Sequence, residues 1–371
     1  MYNTIIGEYC ATHANWEQDL AAAPYYLKIK YDGPYVMFSY NQLASDFNIE
    51  LVREARGIIF RKGEWKKPVC WAFNKFGNYG ESYAPEIDWS TAMVTEKIDG
   101  SLIKVWYDEK WHVSTNGTID AEKAEIADVK MLNFAQYFAT GILKYFKSFL
   151  DFLMVLDPEY TYMFELVGPY NRVVIPYEEV DVYWLGARCN RTGIEHQSDS
   201  VYCFHLEALP TPKEYPLTSL EECVRAAKEM DWDSEGFVVS DAYGNRVKVK
   251  SPAYVMAHFA RNNNVITRKH LLRVILENEV DEFLCYAADY AEDLQAAQDS
   301  MNEYKETCER YARALSAAAA MLERKDYAKL VMALPKVYWE YLFMNYERLV
   351  SAEEYTKDWD IHRWDRTLEE V

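Results

Sequence analysis

The sequence predicts an α+β domain with antiparallel sheets over residues 1–254, followed by an all-helical domain over residues 255–371. All 14 glycines lie at or before Gly244, and the 127 residues after it contain no glycine and only two prolines. Because strands need glycine and proline at their turns, a segment without them is expected to be helical. Before that point strand-like and helical segments alternate without the strict rhythm of βαβ units, which favours antiparallel sheets.

Composition and charge exclude several classes of protein. Half of the 371 residues are apolar and 27% are charged, as in globular proteins. A net charge of −19 argues against loose, charge-driven coating of nucleic acid, although a cleft can still focus a local positive field. No apolar run reaches the roughly 18 residues that a membrane helix needs.

The N-terminus and the cysteines bear on the cellular compartment. The N-terminus lacks the basic and apolar regions of a secretory signal. The seven cysteines are scattered and form no C-x-x-C pair, which indicates reduced thiols and not a disulfide framework or a zinc cage. We therefore expect a cytoplasmic protein that requires neither a membrane nor an obligate protein partner.

Strands are predicted in the first domain from runs of β-branched and aromatic residues beside turn signals. Two hairpins are expected, one over 97–107 and 111–115 and one over 237–250. Further strands are expected over 162–168, 171–177 and 181–187.

Helices are predicted between these strands and throughout the tail. One covers about 120–154 with a break near Gly141, and another begins with the capping box Ser219-x-x-Glu222. In the tail, apolar residues recur at three- and four-residue spacing. We place the domain boundary near Tyr254.

The sharpest local feature is Lys97-Ile98-Asp99-Gly100-Ser101 at the head of a predicted strand. A lysine in such a turn can act as a covalent nucleophile if nearby cations, a metal or desolvation favour its neutral amine. The glycine lets the backbone approach a phosphate or ribose closely. Taken alone, this short pattern is better explained as an ordinary surface turn.

Other segments change that balance. Glu165 lies inside an apolar strand, where an unpaired carboxylate is expensive, and Glu235 lies at the entrance of another. Alternate cations share one face of a third strand, since strand side chains alternate with period two. These cations are Arg246, Lys248 and Lys250, and the pair Tyr183-Trp184 offers an aromatic surface.

The order and spacing of these segments resemble those of the covalent nucleotidyltransferases, which include ATP- and GTP-dependent ligases and mRNA capping enzymes. The wider pattern closely resembles the bacteriophage T4-type RNA ligase 1 family over about residues 35–258. The segments that carry this resemblance are FSYN (38–41), EARGIIF (54–60), NKFGNYGE (74–81), FELVGPYNRVVIPY (164–177) and KVKSPAY (248–254). It implies a nucleotidyltransferase domain of the ATP-grasp-like ligase kind with antiparallel sheets, followed by the family's helical domain. The OB-fold of DNA ligases and capping enzymes, with its glycine turns and further basic motif, is not recognisable in the tail.

The resemblance implies roles for single residues. Lys97 becomes the adenylated nucleophile, and the catalytic cations Lys248 and Lys250 contact the α-phosphate. The β- and γ-phosphates are held by Tyr40, Arg56 and Lys75. The remaining ATP-binding residues are Glu96, Asp99, Glu165, Glu235 and Tyr254, and Tyr183 or Trp184 packs near the adenine.

The resemblance also implies a metal site and one departure. Asp99, Glu165 and Glu235 hold Mg²⁺ through waters, with Mn²⁺ as a substitute, because magnesium keeps several waters and takes few carboxylates directly. Where the family carries a lysine before a glycine, this chain has Asn116-Gly117-Thr118. Either another cation replaces that lysine or a hydrogen bond replaces its charge.

Plainer explanations remain open for several residues. Tyr183 and Trp184 fit core packing as well as adenine binding. From Ala242 to Leu276 there are seven basic residues and no acidic one. This strip fits RNA phosphates, through Arg261, Arg268, Lys269 and Arg273, as well as pairing with the acidic later helices of the same chain.

We therefore predict an ATP-dependent RNA ligase that joins 3′-hydroxyl and 5′-phosphate ends through lysyl-AMP and RNA-adenylate. The expected partners are single-stranded RNA ends, including nicked tRNA anticodon loops, in RNA repair in a virus-infected cell. The alternatives are a DNA ligase or capping-type nucleotidyltransferase of the same superfamily, or a non-catalytic nucleic-acid-binding protein.

Overall fold

The computed structural model describes residues 4–42, 44–126, 129, 131–198, 200, 204–260, 266–280, 283–284, 287–347 and 350–370. The chain divides into two compact units, Met1–His258 and Phe259–Val371. Within the described residues, every strand lies in the first unit and the second unit is helical. The predicted α+β fold with antiparallel sheets and a helical C-terminal region is therefore confirmed.

The first sheet has three antiparallel strands in the order β1-β2-β3. Its central strand is buried on both faces. Val36 and Phe38 pack against the N-terminal helices, and Tyr35 and Met37 pack against Trp106 of a neighbouring sheet. The bounds are β1 (Lys28–Asp32), β2 (Tyr35–Ser39) and β3 (Arg56–Arg61), with α1 (Ile5–Thr12), α2 (Trp16–Ala21) and α3 (Glu50–Glu54).

The largest sheet has five antiparallel strands in the order β6-β5-β7-β8-β9. One face packs against two helices through Phe138, Phe152, Phe164 and Trp184. The side chains between them point to the opposite face, because strand side chains alternate. The bounds are β5 (Ser101–Asp108), β6 (Lys110–Thr115), β7 (Tyr160–Val167), β8 (Asp181–Cys189) and β9 (Glu195–Gln197), with α4 (Phe134–Ile142) and α5 (Phe149–Met154).

The third sheet has four antiparallel strands in the order β10-β4-β11-β12. Val94, Phe237 and Val249 pack against Cys223 and Ala227 of the helix on its outer face. The bounds are β4 (Met93–Glu96), β10 (Glu214–Tyr215), β11 (Gly236–Ser240) and β12 (Arg246–Lys250), with α6 (Leu220–Lys228) and, at the end of the unit, α7 (Pro252–Ala260).

Two predicted elements differ from the structure. The predicted helix over about 120–154 is two helices that begin only at Phe134; the break lies near Gly141 as predicted, because α4 ends at Ile142 and α5 begins at Phe149. A Cβ at Gly141 would lie 2.8 Å from Val182 Cγ1, so this glycine permits close packing of the helix on the sheet. The predicted strand over 171–177 is irregular, because the N–H groups of Val174 and Ile175 donate to the Asp99 carboxylate instead of a neighbouring strand.

The second unit packs its helices around a core that includes Leu272, Tyr304, Tyr327, Leu342 and Trp364. No helix within the described residues is both long and apolar enough to span a membrane. The helices are Arg268–Leu276, Ala291–Met321, Arg324–Val331, Trp339–Glu347, Ala352–Thr356 and Ile361–Glu370.

Candidate active site

A cavity of about 290 Å³ lies between the five-stranded and the four-stranded sheets of the first unit. Thr95 and Val238 line it from one sheet, and Leu102 and Leu185 line it from the other. Its volume is near the lower end of small-molecule sites, which are about 300–1,000 Å³. The predicted site residues that line it are Tyr40, Arg56, Lys75, Glu96, Lys97, Glu165 and Lys248.

Lys97 reaches this cavity because its loop crosses from β4 in one sheet to β5 in the other. The backbone N–H of Lys97 donates to the carbonyl of Gly236 at 2.9 Å, which fixes the start of the loop. At its end, a Cβ on Gly100 would lie 2.4 Å from the Leu166 carbonyl oxygen, so only glycine fits. The loop therefore holds its lysine at the wall of the cavity.

The Lys97 amine is ion-paired with a buried carboxylate. Its Nζ lies 2.7 Å from Oε1 of Glu235, which is only 4% exposed, and Lys250 Nζ lies 3.7 Å from the same oxygen. Glu235 is therefore a buried carboxylate shared by two lysines, and Lys250 can remain its partner when the Lys97 amine is engaged elsewhere.

Glu165 lies across from this pair on β7, on the face of the sheet that points into the cavity. Desolvation raises the pKa of Glu165 to about 7, an effect that Lys97 opposes and the Glu235 charge reinforces. A carboxylate that is costly to ionise is one that a cation would stabilise.

Asp99 and Tyr254 lie behind the loop and not along the cavity. Asp99 Oδ2 accepts the N–H groups of Val174 at 2.9 Å and Ile175 at 2.7 Å, and Oδ1 accepts the Tyr254 hydroxyl at 2.7 Å. These contacts tie the nucleophile loop to segment 174–175 and to α7. Contacts of Asp99 or Tyr254 with nucleotide or metal stay predictions, whereas a positioning role is what the observed bonds support.

The cavity is strongly cationic on the side formed by Arg56, Lys75 and Lys248. Arg56 and Lys248 both lie over the Phe76 ring, at 5.3 and 5.5 Å from its centroid, and Lys75 lies 4.7 Å from the Phe47 ring centroid. Among the described residues, buried Nη1 of Arg56 has no hydrogen-bond partner. A buried guanidinium with an unused donor is suited to bind an anion.

Two of the three predicted metal ligands fit a hydrated divalent cation. Glu165 and Glu235 offer carboxylate oxygens, which Mg²⁺ prefers, whereas the oxygens of Asp99 are engaged by the donors described above. In the described structure the three carboxylates do not form a cluster whose oxygens all lie within 4.8 Å of one another. This spacing argues against direct ligation by all three, and an ion held through waters stays a prediction.

The aromatic pair predicted on β8 to pack near the adenine does not line the cavity. Trp184 is fully buried in the core beside Phe204, and neither it nor Tyr183 lines the cavity. The β8 side chain that does line it is Leu185, because the strand alternates faces. Phe73 and Phe76 also line the cavity and were not among the predicted site residues. Phe76 follows Lys75 in the NKFG segment, and that position could have indicated it.

Asn116 lines the cavity, and its Oδ1 has no hydrogen-bond partner among the described residues. A second lysine lies next to this turn: Lys104 is fully buried, and its Nζ donates to the Gly57 carbonyl at 2.5 Å. A Cβ on Gly57 would lie 2.6 Å from Lys104 Nζ and 2.8 Å from the Asn116 carbonyl oxygen. A lysine is thus present beside Asn116, but burial lowers the pKa of its amine, and which of the two alternatives replaces the family lysine stays open.

The basic strip is largely engaged within the chain. Arg268 Nη2 lies 2.9 Å and Lys269 Nζ 3.2 Å from the two oxygens of Asp365 in the last helix, and Arg273 pairs with Glu277. Arg246 is buried and bonded to Glu195. Arg261 lies outside the described residues. These pairs favour the intramolecular alternative, and RNA binding by the strip stays a prediction.

A lysine at the wall of a cavity, beside a buried carboxylate and with three further cations in the same lining, is an arrangement suited to binding a phosphate-bearing group. The comparison with protein families then gives the particular family. The family model described as RNA ligase, of the T4 RNA ligase 1 type, matches residues 54–254. The match covers more than half of the chain, so this protein belongs to that RNA ligase family. The family recognised from the sequence is confirmed.

Two relatives identified by sequence agree with this family. The chain is 32% identical over 264 residues to a protein of Autographa californica nuclear polyhedrosis virus named as a bifunctional polynucleotide kinase/RNA ligase. It is 27% identical over 314 residues to an RNA ligase of Rhodothermus phage RM378, covering 68% of this chain and 70% of that protein. A solved archaeal ATP-dependent RNA ligase superposes with a TM-score of 0.48 at 15% identity, over 88% of this chain and 81% of that one. The match to the baculovirus protein covers 67% of this chain but only 37% of that longer relative.

Proposed function

We propose that this protein is an ATP-dependent RNA ligase that seals 3′-hydroxyl and 5′-phosphate ends through a lysyl-AMP intermediate. The observation that carries the proposal is the position of Lys97, whose Nζ is 2.7 Å from buried Glu235 at the edge of a cavity that also holds Arg56, Lys75 and Lys248. Membership of the RNA ligase family supports the class of substrate.

The first step adenylates the enzyme. The neutral Lys97 amine attacks the α-phosphorus of ATP, the N–P bond forms, and the bond to the bridging oxygen breaks to release pyrophosphate. Lys248 opposes the charge that develops on the α-phosphate, and Arg56 and Lys75 orient the leaving pyrophosphate. The proton that Lys97 loses passes to solvent, and Glu235 remains paired with Lys250.

The next two steps use RNA. An oxygen of the RNA 5′-phosphate attacks the lysyl-AMP phosphorus, the N–P bond breaks, and Lys97 regains a proton. The 3′-hydroxyl of the second end then attacks the 5′-phosphorus and displaces AMP, which leaves a phosphodiester. A magnesium ion held by Glu165 and Glu235 through waters would add positive charge at the transferring phosphate.

Intact mass measurement tests the first step directly. Wild-type protein incubated with ATP and magnesium should gain the mass of one AMP. Lys97→Ala should fold normally and gain nothing, and Lys97→Arg should also fail, because a guanidinium does not lose its proton. Exposed Lys110, which lines neither the active-site cavity nor the cavity beside it, provides the control: Lys110→Ala should be adenylated as wild type. Adenylation of Lys97→Ala would refute the assigned nucleophile.

The natural substrate that we propose is a broken single-stranded RNA, such as a nicked tRNA anticodon loop, in repair within a virus-infected cell. The helical second unit would select among such substrates. Comparing ATP with GTP, and RNA with DNA ends, separates this proposal from a DNA ligase or a capping-type enzyme. Sealing of DNA ends at the rate of RNA ends would contradict it.

A further inference from the structure

A second cavity of about 530 Å³ adjoins the active-site cavity within the first unit. The two share walls formed by Lys75, Phe76, Gln197 and Arg246. A group bound in the second cavity would therefore lie next to a nucleotide bound in the first. None of the steps described above assigns an occupant to it.

A buried cluster of two arginines and one glutamate forms part of this second cavity. Glu195 accepts an ion pair from Arg188 on one oxygen and from Arg246 on the other, and the three side chains are each at most 9% exposed. Two guanidiniums thus share one carboxylate. Two further carboxylates line the cavity: exposed Glu50, and Asp241, which accepts backbone N–H groups of the β11–β12 turn.

Part of the donor capacity of this cluster is unused. Arg188 donates through Nη1 to the Ala72 carbonyl and to Asn74, but within the described residues its buried Nε has no partner. Burial lowers the pKa of Arg188 to about 9 and that of Arg246 to about 10, so the cationic forms are held at a cost. An anion in the cavity would reduce that cost.

The lining of the second cavity also contains groups that could contact the base of a nucleotide as well as its phosphate. Arg53 supplies a further cation, and Tyr83 and Tyr243 supply aromatic rings. Tyr243 lies in the β11–β12 turn and is 78% exposed, so its ring is available for stacking. Cations beside exposed aromatic rings are the usual composition of single-stranded nucleic-acid sites.

We propose that this second cavity binds the 5′-phosphate end of the RNA strand that receives AMP. Arg53, Arg188 and Arg246 hold the phosphate, and Tyr243 stacks on the first base. The inference rests on the proposed ligase function and specifies where one of its substrates enters. Pyrophosphate leaving the first cavity has the same phosphate chemistry, but it has no base to stack on Tyr243.

Binding of short, 3′-blocked RNA to full-length protein tests this assignment by fluorescence anisotropy. Wild type should bind the 5′-phosphorylated strand more tightly than the 5′-hydroxyl strand. Tyr243→Ala should weaken binding of the phosphorylated strand about tenfold, the effect of losing one base stack, and should slow AMP transfer to RNA. Lysyl-AMP formation should not change. Tyr31→Ala, at an exposed tyrosine that lines neither cavity, is the matched control.

Glu195→Gln separates an anion site from a purely structural cluster. Removing the negative charge that Arg188 and Arg246 share should tighten binding of the 5′-phosphorylated strand several-fold and steepen its salt dependence, even if thermal stability falls. If the cluster only joins β8 and β9 to β12, the variant should lose stability and gain no affinity. Should this variant fail to fold, Tyr243→Ala decides the matter alone.

The outcomes separate this inference from the proposed function. Absence of lysyl-AMP in wild type would refute the ligase proposal, whatever the RNA affinities are. Normal lysyl-AMP together with wild-type RNA binding and AMP transfer by Tyr243→Ala would overturn the second-cavity assignment alone. Tight pyrophosphate binding that Tyr243→Ala leaves unchanged, with no preference for 5′-phosphorylated RNA, would identify a pyrophosphate exit and overturn it as well.

Discussion

Removing the hydrogen bond between Tyr254 and Asp99 tests directly how the loop of residues 97–100 is held in place. Tyr254 is 2% exposed, and its hydroxyl donates to Asp99 Oδ1 at 2.7 Å. Tyr254→Phe removes only that hydroxyl, so the buried carboxylate loses one of the three donors described above. The aromatic ring and its packing remain.

The expected size of the effect follows from this geometry. A hydrogen bond to a charged group contributes about 1.5–3 kcal/mol to stability. For a unit of this size, 1 kcal/mol corresponds to about 2–4 °C in Tm. Tyr254→Phe should therefore lower the Tm of the first unit by about 3–12 °C. Adenylation by ATP should slow, because the loop that carries Lys97 is held less firmly.

The assay is differential scanning fluorimetry of the full chain, paired with lysyl-AMP formation followed by intact mass. Tyr243→Phe is the matched control, since it removes a hydroxyl from a side chain that is 78% exposed and should change neither quantity. A double-mutant cycle with Asp99→Asn should give a coupling of at least about 1 kcal/mol. If Tyr254→Phe has the same Tm as wild type but binds ATP more weakly, then Tyr254 contacts the nucleotide and does not position the loop.

Three further predictions follow from other parts of the first and second units. Arg56→Ala and Lys75→Ala should lose adenylation by ATP yet still seal pre-adenylated RNA, whereas Lys248→Ala should damage both reactions; equal losses on both substrates would place Arg56 and Lys75 elsewhere. Burial raises the pKa of Glu54 from 4.5 to about 7, so the native state binds this proton more tightly than the unfolded state, and ionisation should remove up to about 3 kcal/mol of stability as pH rises from about 4.5 to about 7. Urea denaturation at about pH 5 and about pH 8 should show a smaller loss for Glu54→Gln than for wild type or the exposed control Glu64→Gln, and equal losses would exclude Glu54 as the cause. Reversing the charges of Arg268 and Lys269 should destabilise the helical unit, because Asp365 loses both partners, while lysyl-AMP formation stays unchanged; unchanged stability with reduced RNA binding would instead restore the RNA-contact interpretation.

The sequence by itself determined the fold class, the helical tail, most strands and the family. Glycine spacing and period-two alternation are local properties, so they can be detected without tertiary contacts. The same holds for the segment around Lys97 and for the shared face of Lys248 and Lys250, because neighbours along a strand fix each other's orientation.

Which of these residues lie close together in space depends on the tertiary structure alone. Asp99 accepts hydrogen bonds from backbone N–H groups of a segment that was predicted to be a strand. Trp184 is buried in the core, whereas Leu185 lines the cavity. Arg268 and Asp365 are 97 residues apart in the chain, and Arg246 and Glu195 are 51 residues apart. Such contacts depend on how sheets and helices pack against one another, and no local pattern in the sequence encodes that packing.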